Sequence, residues 1–190
     1  MERAKYSVVF RPNDEIVAFV ADLKFRLRKE IGSYKSVNAE AHVTVCEFHA
    51  SEKELELCRE WISQFCARVR CGKVSFDRLG HFPSTLYVAP DPESFLFLKA
   101  IMRRFNKDFG FPKENASEHP HMTIGRGLTE MQIEKGLELL QEGFAPFSFD
   151  CDSLFLRKFD PERRQFAVVD RFWFGNPETE PRDEEQLSLF

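Results

Sequence analysis

Two short segments with the same pattern, His42-Val43-Thr44-Val45 and His121-Met122-Thr123-Ile124, recur at matched places in this chain. Apolar periodicity and capping signals predict the surrounding elements. The first run is a strand at 6–10, a helix over 12–32, a strand at 41–48, a helix over 51–69 and a strand at 73–80. The second is a strand at 85–89, a helix over 91–110, a strand at 121–125, a helix over 129–143, and strands at 147–159 and 165–174 joined by a polar turn. Asn13 and Asp14 suit a helix start. Ser51-x-x-Glu54 is a capping box, and Asp91-Pro92 opens a helix that Gly110 closes. From Tyr6 to His42 is 42 − 6 = 36 residues, and from Leu86 to His121 is 121 − 86 = 35. The architecture is duplicated without much sequence identity. Each half has too few strands for a doubly wound sheet, so the expectation is an α+β fold. It is bilobal and duplicated, with two antiparallel-rich sheets and flanking helices around a central cleft. It covers 1–175, in intertwined halves of roughly 1–80 and 81–175.

Composition narrows the function classes. Apolar residues make up 43% of the 190, enough for a real core. No apolar run approaches the roughly 18 to 20 residues that span a bilayer, and the first residues lack a signal-peptide pattern. A cytoplasmic protein with no membrane partner is expected, as a monomer. The five cysteines are odd in number and form no C-x-x-C pair, which argues against a disulfide framework or a cysteine-rich zinc site. The net charge of −4 lies entirely in the tail: residues 176–190 hold five acids and one arginine, so 1–175 is neutral. A neutral body is not built to grip long nucleic acid through many phosphates. It can hold one phosphate or a short RNA end.

Five histidines and five threonines in 190 residues give about 0.13 His-x-Thr triplets by chance (5 × 5/190); two are present. A single one on an amphipathic strand is usually structural, whereas two at matched places point to chemistry. In a strand, residues i and i+2 share a face, so His42 lies with Thr44 and His121 with Thr123. Two such strands across a pseudo-twofold axis bring two imidazoles and two hydroxyls into one cleft. One imidazole can accept a proton while the other donates one, and the hydroxyls can bond phosphoryl oxygens. In-line opening of a phosphodiester needs that set of groups, with no metal or other cofactor.

"HVTV" and "HMTI" resemble the paired motifs of the 2H phosphoesterase superfamily, nearest its branch of RNA 2′,3′-cyclic phosphodiesterases and 2′-5′ RNA ligase-like proteins. The resemblance covers nearly all of 1–175. It implies metal-independent chemistry on cyclic phosphates or 2′-5′ linkages of RNA or nucleotides. It makes His42 and His121 the catalytic pair and Thr44 and Thr123 the phosphate holders. It also implies His121 as the base on the nucleophile and His42 as the acid on the leaving oxygen. In this branch the second motif often continues to an arginine, supplied here by Arg126 in "HMTIGR". Strict alternation turns Arg126 away from His121, but a bulge at the flanking Gly125 and Gly127 would bring it back.

Other residues carry weaker readings. His119 and His121 form an H-x-H with no acidic cluster nearby, so His119 is expected to shape the site entrance rather than to bind metal. His81 is expected in a surface turn. Alternation puts Cys46 and Phe48 on the His42 face, as a small filler and a base-stacking or core ring. The basic stretch 24–30 reads as a solvated face. Rivals to the RNA-end enzyme are a cyclic nucleotide or ADP-ribose cyclic phosphate phosphodiesterase and a non-catalytic phosphate binder. Finally, 176–185 reads as a flexible acidic tether ending in Gln186, Leu187, Ser188, Leu189 and Phe190. That pentapeptide resembles the motif by which bacterial replication and repair proteins dock on the DNA sliding clamp.

Overall fold

The computed structural model describes residues 3–175. The acidic tether and the QLSLF segment lie outside the described residues. The elements follow the expected order. β1 (Ala4–Phe10), α1 (Asp14–Ile31), β2 (Val43–Ala50), α2 (Glu52–Cys66) and β3 (Gly72–Phe82) come first. β4 (Thr85–Pro90), α3 (Pro92–Asp108), β5 (Lys113–Ala116), β6 (Met122–Arg126) and α4 (Glu130–Gln141) follow, then β7 (Phe147–Cys151), β8 (Ser153–Asp160) and β9 (Gln165–Trp173).

Local chemistry sets the helix ends. Asn13 accepts a hydrogen bond from the Ile16 amide, and the amide of Gly32, at φ 82°, donates to the Arg28 carbonyl. Ser51 and Glu54 form the expected capping box on α2, and Thr129 with Gln132 forms another on α4. Asp91 caps α3, with Pro92 in the first turn where its missing N–H costs nothing. No helix among the described residues is long and apolar enough to cross a membrane.

All strand pairs are antiparallel. The order β7-β3-β4-β6 forms one half and β2-β1-β8-β9 the other, and the halves meet where β6 pairs β2. That junction is the single pair Val43↔Met122. The halves exchange strands: β3 of the first run joins β4, while β8 and β9 of the second join β1. The helices cover one face of the sheet. Tyr6, Val8, Phe10, Val43, Leu86, Val88, Met122, Leu154 and Leu156 point towards them in one core. The alternate residues Ser7, Val9, Thr44, Tyr87, Thr123, Phe155 and Arg157 lie outside that core cluster, on the opposite face.

Three expectations need correction. The strand read as 147–159 breaks at Asp152, whose carboxylate accepts from Ser153 Oγ at 2.7 Å and Arg171 Nη2 at 3.0 Å. β7 then pairs β3 and β8 pairs β1; apolar alternation does not show where a strand changes partner. β5 lies in a polar stretch to which the sequence assigns no element. Tertiary pairing overrides its propensity: it extends the second edge of β2, and Lys113 Nζ donates to the carbonyls of Asn106 and Phe109. β3 runs on to Phe82, so His81 is exposed within a strand rather than in a turn.

The core holds an aromatic cluster. Phe105, fully buried, packs its ring 5.1 Å from each of Trp61, Phe65 and Phe109. Phe105→Ala should lower unfolding free energy by ~3–5 kcal/mol, the scale for emptying such a position. Urea denaturation checks it; a loss below ~1 kcal/mol would mean that the cluster collapses into the gap.

Candidate active site

The two histidines stand one residue before β2 and β6, where the half-sheets meet. Val43 opposite Met122 in antiparallel register fixes a residue sum of 43 + 122 = 165. Continuing that register sets His42 across from Thr123 and Thr44 across from His121. Val43 and Met122 are buried in the core, so these four half-buried neighbours face the other way and line one cleft.

Each motif ends in a β-bulge. On β1, Val8 pairs Cys46 and Val9 pairs Thr44, leaving Val45 as the extra residue. On β4, Leu86 pairs Gly125 and Tyr87 pairs Thr123, leaving Ile124 extra. Val45 and Ile124 are each the third residue after their histidine. An extra residue shifts the phase of every side chain beyond it. Cys46 and Phe48 therefore turn into the core, fully buried, contrary to simple alternation. Phe48 stacks on Tyr6 and meets Phe109 there. Glu47 and Arg126, each five residues after a histidine, line the cleft instead. The bulge that Arg126 required is present, at Ile124.

Both imidazoles are held alike. His42 Nδ1 lies 2.6 Å from the Glu40 carbonyl and His121 Nδ1 lies 2.7 Å from the His119 carbonyl. A carbonyl only accepts, so Nδ1 carries the proton in both rings and Nε2 is left for chemistry. Behind His42, Arg11 binds the Glu40 carboxylate with two hydrogen bonds, at 2.9 and 2.8 Å. Around His121 stand the rings of Phe82 and Tyr87, each 5.2 Å away. His119 faces the cleft against Phe95 and Phe82. No group of three metal-binding side chains occurs among the described residues.

The cleft is strongly positive. Among the described residues, eight lysines and arginines line it against three glutamates, a local balance of 8 − 3 = +5. Lys24 was expected on a solvated face, yet it is 2% exposed. Its Nζ donates to the carbonyls of Ala39 at 2.5 Å and Ser36 at 3.2 Å, pinning the loop before His42 to α1. The Arg126 amide donates to the Lys35 carbonyl at 3.1 Å, so the same loop also touches β6. Burial, with Arg126 and Arg157 close by, pulls the Lys24 pKa down to about 8. Burial holds His42 well below the usual imidazole range, and the positive charges of Arg157, Lys24 and Arg126 push the same way. Burial also lowers His121.

Lys24, Glu47 and Arg157 were missed from sequence. For two of them a signal exists. Lys24 occupies the apolar stripe of α1 with Val20, Leu23 and Leu27, and Arg157 follows directly on the apolar run Leu154-Phe155-Leu156 of β8. A buried cation among apolar neighbours is a candidate for function.

A sequence model of the 2′-5′ RNA ligase superfamily matches residues 12–163. The chain belongs to that superfamily of 2H phosphoesterases. No curated protein matches by sequence. Among solved structures, Escherichia coli LigT complexed with 3′-AMP superposes with a TM-score of 0.62 at 14% identity, over 92% of this chain and 100% of that one. The Thermus thermophilus protein TT0787 gives 0.59 at 14%, over 91% and 99%. Usb1 of Kluyveromyces marxianus gives 0.54 at 13%, over 90% and 98%.

The depressed imidazoles have a measurable consequence. Unfolded rings take up protons near pH 6.5 while the folded ones do not, so stability is full above pH 6.5 and is lost as pH falls through the folded values. An NMR titration should place the His42 and His121 midpoints below 6.5, His42 lower. Inorganic phosphate in the cleft should raise both midpoints; no movement would mean that it binds elsewhere.

Proposed function

We propose that this protein is a metal-independent phosphoesterase acting on 2′,3′-cyclic phosphate ends or 2′-5′ linkages of RNA or nucleotides. The observation that carries the reading is the antiparallel crossing of the two motifs. Each imidazole lies opposite the other motif's threonine, and each is oriented through Nδ1 so that Nε2 is available. The positive cleft supports an anionic substrate. LigT structures complexed with 3′-AMP, phosphate, ATP and NADP+ fit a nucleotide-phosphate substrate here too.

In hydrolysis, water attacks phosphorus in line. One Nε2 takes the water proton and the other ring gives a proton to the departing ribose oxygen, leaving a phosphomonoester. Thr44, Thr123 and Arg126 donate to the non-bridging oxygens, where negative charge accumulates. The family resemblance makes His121 the base. The electrostatics of this cleft favour the opposite assignment: burial, and then the charges of Arg157, Lys24 and Arg126, depress His42 further than burial depresses His121, so His42 is the ring left free to accept a proton and His121 the one to donate it. The roles exchange in ligation.

Hydrolysis should persist in EDTA and show a bell-shaped pH profile. His42→Ala and His121→Ala should each lower kcat by at least ~10²-fold, the usual scale of acid–base help, and Thr44→Ala and Thr123→Ala by less. A 4-nitrophenyl phosphodiester, whose leaving oxygen needs no proton, should restore His121→Ala far more than His42→Ala. Activity lost in chelator and regained with a divalent ion overturns the two-histidine mechanism. Rescue of His42→Ala alone reverses the acid and base.

The tail supports a separate proposal from its sequence: Gln186–Phe190 docks on a bacterial DNA sliding clamp. Leu187, Leu189 and Phe190 would fill apolar pockets, with Gln186 hydrogen-bonding. Calorimetry of a clamp with the 176–190 peptide should show binding that Leu189→Ala plus Phe190→Ala abolishes; none at ~100 μM, a generous ceiling for a short peptide, ends the idea.

A further inference from the structure

The cleft continues past the histidines along β8 to the β8–β9 hairpin, and a buried cation stands there without a carboxylate partner among the described residues. Arg157 is 4% exposed and lines the cleft. One Nη donates to Ser7 Oγ at 3.2 Å, while Nε has no partner among the described residues. Neither nearby carboxylate answers it. Glu40 is held by Arg11 and Glu47 by Lys5, both at 2.8 Å. Burial lowers the Arg157 pKa to about 10, so the guanidinium stays charged at neutral pH. A buried guanidinium with an unmade N–H and no carboxylate beside it is costly, and an anion entering the cleft offsets its unbalanced charge.

The surroundings indicate which anion. β8 lies two strands from β2, through β1, or ~10 Å. Arg157 therefore stands beside the paired motifs rather than between them. Its guanidinium lies 5.0 Å from the centre of the Phe166 ring, which pairs with Phe159 at 5.2 Å. Arg163 and Arg164 at the hairpin tip line the same end; Arg163 is 3.8 Å from Asp160. Cations interleaved with half-buried rings suit a phosphate followed by a base, and a guanidinium fork matches phosphate geometry. The cleft holds about 1860 Å³, well above the ~300–1,000 Å³ of an ordinary small-molecule pocket.

We propose that Arg157, with Phe166 beside it and Arg164 at the rim, forms a second phosphate subsite. It takes the phosphodiester adjacent to the reacting phosphate, so the preferred substrate is an RNA end of at least two nucleotides rather than a cyclic mononucleotide. The inference rests on the phosphoesterase reading above.

The test compares kcat/KM for 2′,3′-cyclic AMP and for the dinucleotide ApA ending in a 2′,3′-cyclic phosphate. The wild type should favour the dinucleotide by at least ~10-fold, the scale of one charge-assisted contact, and Arg157→Gln should reduce the ratio below ~3. A wild-type ratio near one, or an unchanged ratio in the variant, overturns the subsite. Should Arg157→Gln not fold, Arg163→Gln plus Arg164→Gln at the exposed tip must lower the ratio at least ~2-fold, and no change overturns the proposal. Parallel calorimetry with adenosine 2′-phosphate and ApA 2′-phosphate reads the subsite without chemistry. Tighter dinucleotide binding that Arg157→Gln abolishes, with neither substrate hydrolysed, keeps the subsite and rejects the hydrolase. Equal hydrolysis of both substrates does the reverse, and no binding of either titrant overturns both.

Discussion

One backbone register, Val43 against Met122, holds the candidate site together. It joins two half-sheets that each have their own helices, and it decides which side chains meet. A slip of one residue would send His42 and His121 into the core and expose Val43 and Met122. Both of those are buried at the seam, so the hydrophobic effect defends the register. The same burial that secures the fold therefore aims the imidazoles.

The two bulges extend that logic. Without the bulges at Val45 and Ile124, alternation would offer the cleft a histidine, a threonine and then Cys46 or Gly125. With them, the strand buries two consecutive positions and returns a charged side chain, Glu47 or Arg126, to the cleft. The duplication thus reaches below secondary structure, to the irregularities of the strands. The halves then differ in charge: Glu47 is answered by Lys5, whereas Arg126 adds to the positive side.

That asymmetry sets the electrostatics. A chain of net charge −4 concentrates +5 in one cleft. Lys24 and Arg157 are buried there without carboxylate partners among the described residues, the first satisfied by backbone carbonyls and the second by one hydroxyl. Such an arrangement favours an anion over an empty cleft, and beside burial it helps to depress the His42 imidazole.

The sequence by itself determined the element order, the helix caps, the duplication and the two His-x-Thr pairs, because caps and periodicity are local and chain separation does not obscure a repeated motif. Only the tertiary structure decided the rest. Which strand lies beside which is a matter of long-range pairing, so the break at Asp152 and the polar strand β5 could not be read from propensity. A bulge costs one residue of register against a partner strand, which is why Cys46 and Phe48 are in the core and Glu47 is not. Lys24 and Arg157 join the cleft because α1 and β8 pack beside β6 and β1, a closeness between residues far apart in the chain that no local pattern encodes.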